Sequence, residues 1–426
     1  MLIEFSVTNF KSIRERQTLS MVASNYYKEL VDENTFEVDS GESFPRLLKS
    51  AVIYGPNASG KSTLVEAMEF VDNFVCTSSS ERQSGDQIEV FPFRLSAESR
   101  KADSQFDVSF FEAGVRYEFG FCANTNRVSA EWLYAYPDGK PQRMYTRYYN
   151  EDAESYHYVW GKHFLGGRRR TDWKNSTRPN ALFLSTAVQL NCEQLQPAFN
   201  WFKFRIATLD PNFLSSAYTL KHFEERKAQI LEFLSAADLC ISDIRVTKTK
   251  FDPSLIPADM PKSIREEVIK TMSGSDVSEV KFYSRSVDEG DDELVEFSDG
   301  EISAGTKALF SFSGPWIDVV SRSRVLFVDE LDSSLHPLVV HQLIKILHKV
   351  GSSVQVVFTT HDTSILGHKG ILRRDQVWMI EKNDKQASFL TPLSDYSVRE
   401  GEALEKGYLG GRYGGIPFVK DLTLGY

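Results

Sequence analysis

Alternating apolar and polar positions open the chain. In "LIEFSVTNF" they recur with the period of two expected of a half-buried strand. After a polar loop around residues 11–16, the short apolar run "SAVIYG" predicts a buried strand that ends in a glycine turn. "KSTLVEAMEFVDNFV" follows at helical spacing, so this segment is strand, loop, helix. From residue 87 to 160 the alternation returns, rich in Phe, Tyr and Val, in "FDVSFFEAGVRYEFGF" and "VSAEWLYAYPDGKPQRMYTRYY". The "EAG" and "PDGK" turns between such runs predict antiparallel hairpins. A different character begins near residue 206: an amphipathic helical piece "TLKHFEERKAQILEFLSAADL", a proline-punctuated stretch at 251–261 and an acidic loop "DEGDDE" at 288–293. Beyond residue 300 come a helix, the buried strand "RVLFVDE", the helix "LVVHQLIKILHKV" and the strands "SVQVVFTTH" and "QVWMIEK". That is the βαβ rhythm of a largely parallel sheet. The expectation is an α/β protein with a parallel sheet, an antiparallel β region and an inserted helical subdomain, divided at 1–205, 206–299 and 300–426. No internal repeat or sustained heptad is present, so no long coiled coil is expected.

Composition narrows this little. At 426 residues the chain is long enough for one large α/β core with an insertion. No apolar run approaches the roughly 18 residues of a membrane span, and the amino end lacks the pattern of a signal peptide. The expected setting is the cytoplasm, with no membrane partner. Cys76, Cys122, Cys192 and Cys240 lie far apart without a Cys-x-x-Cys pair, which suggests neither a zinc site nor a disulfide framework. A net charge of −10 argues against a generally basic nucleic-acid coat but leaves room for a local basic groove. "GGRRRTDWK" at 166–174 is the dense basic cluster, either a contact to nucleic-acid backbone or a solvated loop. The acidic loop lacks the spacing of a calcium loop and reads as a solvated connector.

The chemistry sits at strand ends. "GPNASGKS" at 55–62 fits G-x-x-x-x-G-K-[ST], a loop whose backbone amides wrap phosphate. Gly55, Ser59 and Gly60 shape it, Lys61 neutralises β- and γ-phosphates, and Ser62 offers a hydroxyl to Mg²⁺ at a helix start that Thr63 continues. Asn57 adds a side-chain donor towards the γ-phosphate. "RVLFVDE" delivers Asp329 and Glu330 at a strand's carboxyl end, where open α/β sheets bind ligands. Adjacent strand residues point apart, so Asp329 is assigned to Mg²⁺ and Glu330 to the attacking water as general base. The second carboxylate favours ATP over GTP as substrate. "FTTHD" places His361 at another strand tip facing the same crevice, as γ-phosphate sensor and water-orienting group. His336 in "SLHP" belongs to the turn after the acids. Ser303 and Gly305, in "EISAGTKALF", precede a helix whose amides form a second anion site. Because this chain's glycine loop already holds one triphosphate, the second site makes sense over the nucleotide of another copy, in a head-to-tail homodimer or higher oligomer.

The ordered set "NFKS", "GPNASGKS", "SAGTK", "VLFVDELDSSLHP" and "TTHD" resembles ATPases of the ABC superfamily, on the branch with RecF, SMC, Rad50 and the OLD nucleases. Within it the chain is most similar to the bacterial AAA15 family, through "MLIEFSVTNFKSI", "FPFRL", "SAEWLYAY" and "KGYLGGRYGGIP". The resemblance implies a fold of two lobes around an insertion, a signature motif "SAGT" acting in trans, and a D-loop of Asp332 and Ser333 at the dimer seam. It also implies a Q-loop glutamine on the metal, for which Gln189 and Gln87 are the candidates, and Lys11 reaching phosphate or ribose. Many such relatives belong to anti-phage defence loci beside a separate effector, including two-gene abortive-infection systems. After His361 only about 65 residues remain, too few for an appended TOPRIM nuclease. The resemblance therefore points to a sensor or regulator whose effector is another chain. The alternatives are a RecF-like DNA-repair ATPase and an ATP-holding scaffold. A transporter subunit fits poorly, because the signature lacks the second glycine and the glutamine.

Overall fold

The computed structural model describes residues 1–39, 44–210, 215–237, 240–253, 260–272, 276–288, 293–333, 335–349, 351, 353–368, 370–397 and 403–416. Most of the acidic loop, part of the proline-punctuated stretch and the last residue of the "KGYLGGRYGGIP" segment lie outside them. The chain forms two compact units, Met1–Pro211 with Val319–Tyr426, and Asn212–Asp318.

The first unit opens with β1 (Leu2–Thr8), β2 (Gln17–Ser20), α1 (Val31–Asn34), β3 (Thr35–Phe36), β4 (Leu47–Leu48), β5 (Ser50–Tyr54) and α2 (Lys61–Thr77). Then come β6 (Ser104–Glu112), β7 (Val115–Ala123), β8 (Val128–Tyr136), β9 (Gln142–Asn150) and β10 (Ser155–Trp160). Helices α3 (Arg169–Ser176), α4 (Phe183–Gln189) and α5 (Gln196–Arg205) lead to β11 (Ile206–Leu209). The second unit holds α6 (Ala217–Lys221), α7 (Phe223–Ala236), β12 (Asp243–Lys250), α8 (Lys262–Met272), β13 (Asp276–Arg285), β14 (Leu294–Phe297) and α9 (Ala304–Ser321). The first unit resumes with β15 (Val325–Val328), α10 (Pro337–Lys349), β16 (Gln355–Thr359), α11 (Ser364–Gly367), β17 (Val377–Lys382), β18 (Ser388–Pro392) and α12 (Leu404–Leu409).

Two large sheets build the first unit, beside the short pair β3-β4. One is antiparallel, in the order β10-β9-β8-β7-β6-β1-β2. Its sequence alternation is an alternation of burial: Phe106, Val108 and Phe110 of β6 are covered, while the residues between them are half-exposed. The other sheet runs β11-β15-β16-β5-β17-β18, parallel except for the last pair. Every residue of β5, β15 and β16 is buried, which is why these strands read as continuous apolar runs. Helix α2 touches β1 of the first sheet and β11 and β15 of the second. Phe70 and Phe74 of α2 pack against Phe106 and Phe121, and Phe10 joins them. Burying each such ring stabilises the unit by about 1.5–3 kcal/mol. The helix that begins at the glycine turn is thereby fixed between the sheets.

In the second unit, Phe310 meets Phe223 and Phe282, and Phe233 meets Phe312. Pro315 lies inside α9 and has no N–H to give. Thr219 repairs the break: its hydroxyl donates to the Ser311 carbonyl at 2.9 Å and accepts the Gly314 amide at 3.2 Å. Besides helices, this unit contains the antiparallel sheet β12-β13-β14, which the apolar pattern does not announce. Strand β12, "DIRVTKTK", is mostly exposed, so it has no apolar face for the pattern to mark.

Candidate nucleotide site

Strand β5 ends at Tyr54, and residues 55–60 turn the chain into α2. Two glycines make the turn possible. A Cβ on Gly55 would lie 2.3 Å from the Ile380 carbonyl oxygen of β17, so no side chain fits there. Gly60 has φ 108°, and a Cβ on it would meet the Ser388 and Ser12 hydroxyls at 2.3 and 2.6 Å. Those hydroxyls brace the loop from behind. Ser388 Oγ donates to the Ser59 carbonyl at 2.5 Å and lies 2.8 Å from Ser12 Oγ, which lies 3.0 Å from Thr63 Oγ1. No side chain caps α2. Its first amides have no intrahelical acceptor and remain available to an anion.

A cavity of about 360 Å³ opens at this helix start, lined by Asn57, Gly60, Lys61, Ser62, Thr63 and, from another strand, Glu330. Lys61 is buried, and its Nζ donates to the Gly55 and Pro56 carbonyls at 2.9 and 3.3 Å. Burial pushes its ammonium below the ordinary value, while the carboxylates of Glu330, Asp329 and Asp332, in that order, pull it back up. Lysine and acids thus share one electrostatic site.

The sheet order explains the meeting. β16 pairs with β15 on one side and with β5 on the other, all three parallel, so their carboxyl ends form one rim. Asp329 and Glu330 leave β15 there, and His361 lies just beyond the end of β16. Glu330 has φ 52°, a left-handed conformation that costs a glutamate about 1–2 kcal/mol. Thr359, at the tip of β16, holds it. Its hydroxyl accepts the Glu330 amide at 2.7 Å and donates to Asp329 Oδ1 at 2.7 Å, which orients both acids. Sequence reasoning missed Thr359 and Ser388. The only local signal for Thr359 is a hydroxyl beside the "TTH" strand end, and Ser388 carries none. Asp332 accepts the backbone amide of His361 at 3.2 Å. The His361 side chain is exposed and is not among those lining the cavity.

A family model described as "AAA domain, putative AbiEii toxin, Type IV TA system" matches residues 50–155 and 195–367, more than half of the chain. The chain belongs to this AAA family. The match spans the phosphate-type loop, both acids and His361. No curated protein matches. Among solved structures, the SMC head domain from Thermotoga maritima matches with 11% identity and a TM-score of 0.41, over 92% of this chain and 98% of that one. An SMC head bound to the C-winged helix domain of ScpA matches with 10% identity and a TM-score of 0.41, over 92% and 99%.

The remaining candidates of this AAA protein are dispersed. Ser303 and Gly305 belong to the second unit. Ser303 Oγ accepts the Thr306 amide at 3.1 Å, so it caps α9, and Ser303 itself is exposed. Lys11 forms an ion pair with Glu66 at 2.8 Å and does not line the phosphate-sized cavity. Gln189 is exposed at the end of α4, a helix whose start packs on the carboxyl end of α2 through Ser185 to Val75 and Leu182 to Ser78. The structure does not bring Gln189 to the cavity, nor Gln87, which is exposed and spends its carbonyl on Arg82. Among the described residues no cluster of three or more His, Cys, Asp or Glu could hold a metal. One carboxylate and one hydroxyl, Asp329 and Ser62, still suit Mg²⁺, which takes one or two carboxylates and completes its shell with water and substrate phosphates.

Proposed function

We propose that this protein is an ATP-binding and ATP-hydrolysing ABC-type ATPase of the AAA15 kind, working as a homodimer with two shared nucleotide sites. The supporting observation is that Lys61, at the start of the helix that follows β5, and Glu330, just beyond the end of β15, line a single cavity at the start of an uncapped helix. In this reading the α2 amides and Lys61 grip the β- and γ-phosphates, and Asn57 donates to the γ-phosphate. Ser62 and Asp329 hold Mg²⁺, which, when bound, offsets phosphate charge. Glu330 accepts a proton from the attacking water, and His361 steadies that water. Ser303 and Gly305 of a second copy close over the γ-phosphate with the amides of α9, beside Asp332 at the seam.

The family's description, "putative AbiEii toxin, Type IV TA system", lends support to a cellular role in defence. In our reading the protein is the sensor or regulator of an anti-phage defence system and controls a separately encoded effector, with ATP favouring the closed dimer and hydrolysis removing that bias. Glu330→Gln tests the mechanism. Turnover should fall by about 10²–10⁴-fold while ATP binding persists, and ATP with Mg²⁺ should shift the variant to a larger species in size-exclusion chromatography. Unchanged turnover would remove Glu330 from the reaction. One observation favours a second reading, a DNA-binding ATPase: among the described residues Arg168, Arg169 and Lys174, in and beside α3, have no carboxylate partner. Salt-sensitive DNA binding stimulated by ATP would support it.

A further inference from the structure

Behind Ser12 lies a second cavity, of about 480 Å³, with a chemistry unlike the first. Ser12 lines both, so the two are neighbours. The second is lined by the loop at 91–95 together with Lys11, Lys382 and Gln386. Phe91 is 43% exposed there and Leu95 is 69% exposed, apolar surface left uncovered at the mouth of a polar pocket. The loop that presents them is rigid. Asn9, itself buried, accepts the Phe93 amide at 3.1 Å and donates to the Ser99 and Ala102 carbonyls, each at 2.9 Å. The Lys11 amide donates to the Phe91 carbonyl at 2.7 Å, tying the loop to the turn that carries Ser12. Phe93 points inward and is covered, so Phe91 is left facing out.

A rigid aromatic face beside a phosphate cradle suits a flat heterocycle. The volume falls in the range of small-molecule sites, and apolar floors with a few polar rim groups are their usual make-up. We propose that this cavity is the base subsite of the nucleotide whose triphosphate occupies the first cavity, with Phe91 stacking on a purine ring and Gln386 meeting its polar edge. The inference rests on the nucleotide reading above and adds where the base lies. Lys11, paired with Glu66 and with its Nζ 5.9 Å from the Phe91 ring centroid, then borders the base subsite.

The experiment compares ATP with inorganic tripolyphosphate, both with Mg²⁺, by calorimetry on the full chain and on Phe91→Ala and Gln386→Ala. Tripolyphosphate reports the phosphate cavity alone. Wild type should bind ATP more tightly than tripolyphosphate. Phe91→Ala should weaken ATP by about 5- to 150-fold, the range for loss of one base–aromatic stack, and leave tripolyphosphate unchanged. Phe91→Trp should restore ATP binding. ATP affinity unchanged in Phe91→Ala, with tripolyphosphate still bound, would overturn the base subsite while sparing the phosphate reading. If wild type binds neither, and Lys61→Ala changes nothing, the nucleotide reading fails and takes this one with it.

Discussion

Thr359 is one hydroxyl shared by two acids. Its oxygen takes the Glu330 amide and its hydrogen goes to Asp329, so the left-handed turn at Glu330 is held open by a neighbour on the next strand. Strain of this kind persists where the surroundings over-determine it. Thr359→Val keeps the shape and removes both bonds, leaving a half-buried amide and carboxylate short of a partner, at a cost of up to about 1–3 kcal/mol. If that cost falls on the acids' placement, turnover should drop roughly ten- to a hundredfold with little change in ATP affinity. Steady-state kinetics beside equilibrium binding would check it, and an equal loss in both would assign Thr359 to binding. Asp329, Glu330 and Lys61 were legible because their motifs are contiguous. Thr359 was not, because its role depends on the register that sets β16 beside β15, information absent from either strand alone.

At the scale of elements, α10 shows how a helix is locked to the sheet behind the site. Pro337 opens it, where a missing N–H costs nothing. Val340, Leu343, Ile344 and Leu347 give it an apolar stripe, and His348 is buried beside that stripe. Gln376 Nε2 donates to Ser50 Oγ at 2.7 Å, which leaves the Ser50 hydrogen for His348 Nε2 at 2.9 Å. The imidazole is therefore held neutral. Burial, with the charge of Lys49, pushes it from 6.5 down to about 3. The unfolded histidine thus takes up a proton first, and the stability present above its unfolded value is lost as pH falls from about 6.5 towards 3. Between pH 7 and pH 5 the loss is about 2 kcal/mol. His348→Gln, which keeps an acceptor but does not titrate, should lose that much less over the same interval in urea denaturation. Parallel curves for the two proteins would refute the argument. The apolar stripe of α10 could be read from its spacing, as could the hairpins of β6 to β9. The sheet β12-β13-β14 could not, since Lys248 and Lys250 on β12 are exposed and break the apolar alternation.

For the whole molecule, the reading requires two copies, because α9 and its serine cap serve a nucleotide held elsewhere. Mixing tests this. Lys61→Ala and Ser303→Arg should each abolish turnover, but a mixed dimer keeps one complete site, so an equimolar mixture should recover about a quarter of wild-type activity if subunits pair at random. No recovery after demonstrated subunit exchange would mean that both residues serve the same copy's nucleotide. The parallel sheet was legible as a class from its apolar runs. Its strand order was not, because β5 is inserted between β16 and β17, strands that come some 300 residues later in the chain.

The hydroxyl of Ser388 rests on the carbonyl of Ser59, 329 residues earlier. A ribosome adding about 5–20 residues per second needs tens of seconds to reach Ser388 after Ser59. Throughout that interval the nascent glycine loop lacks its backing, and the strands that flank β5, β16 and β17, are translated only late in it. The backing of the loop therefore arrives only once β18 has been made, and a chain interrupted before β18 would present the motif without the Ser388 brace.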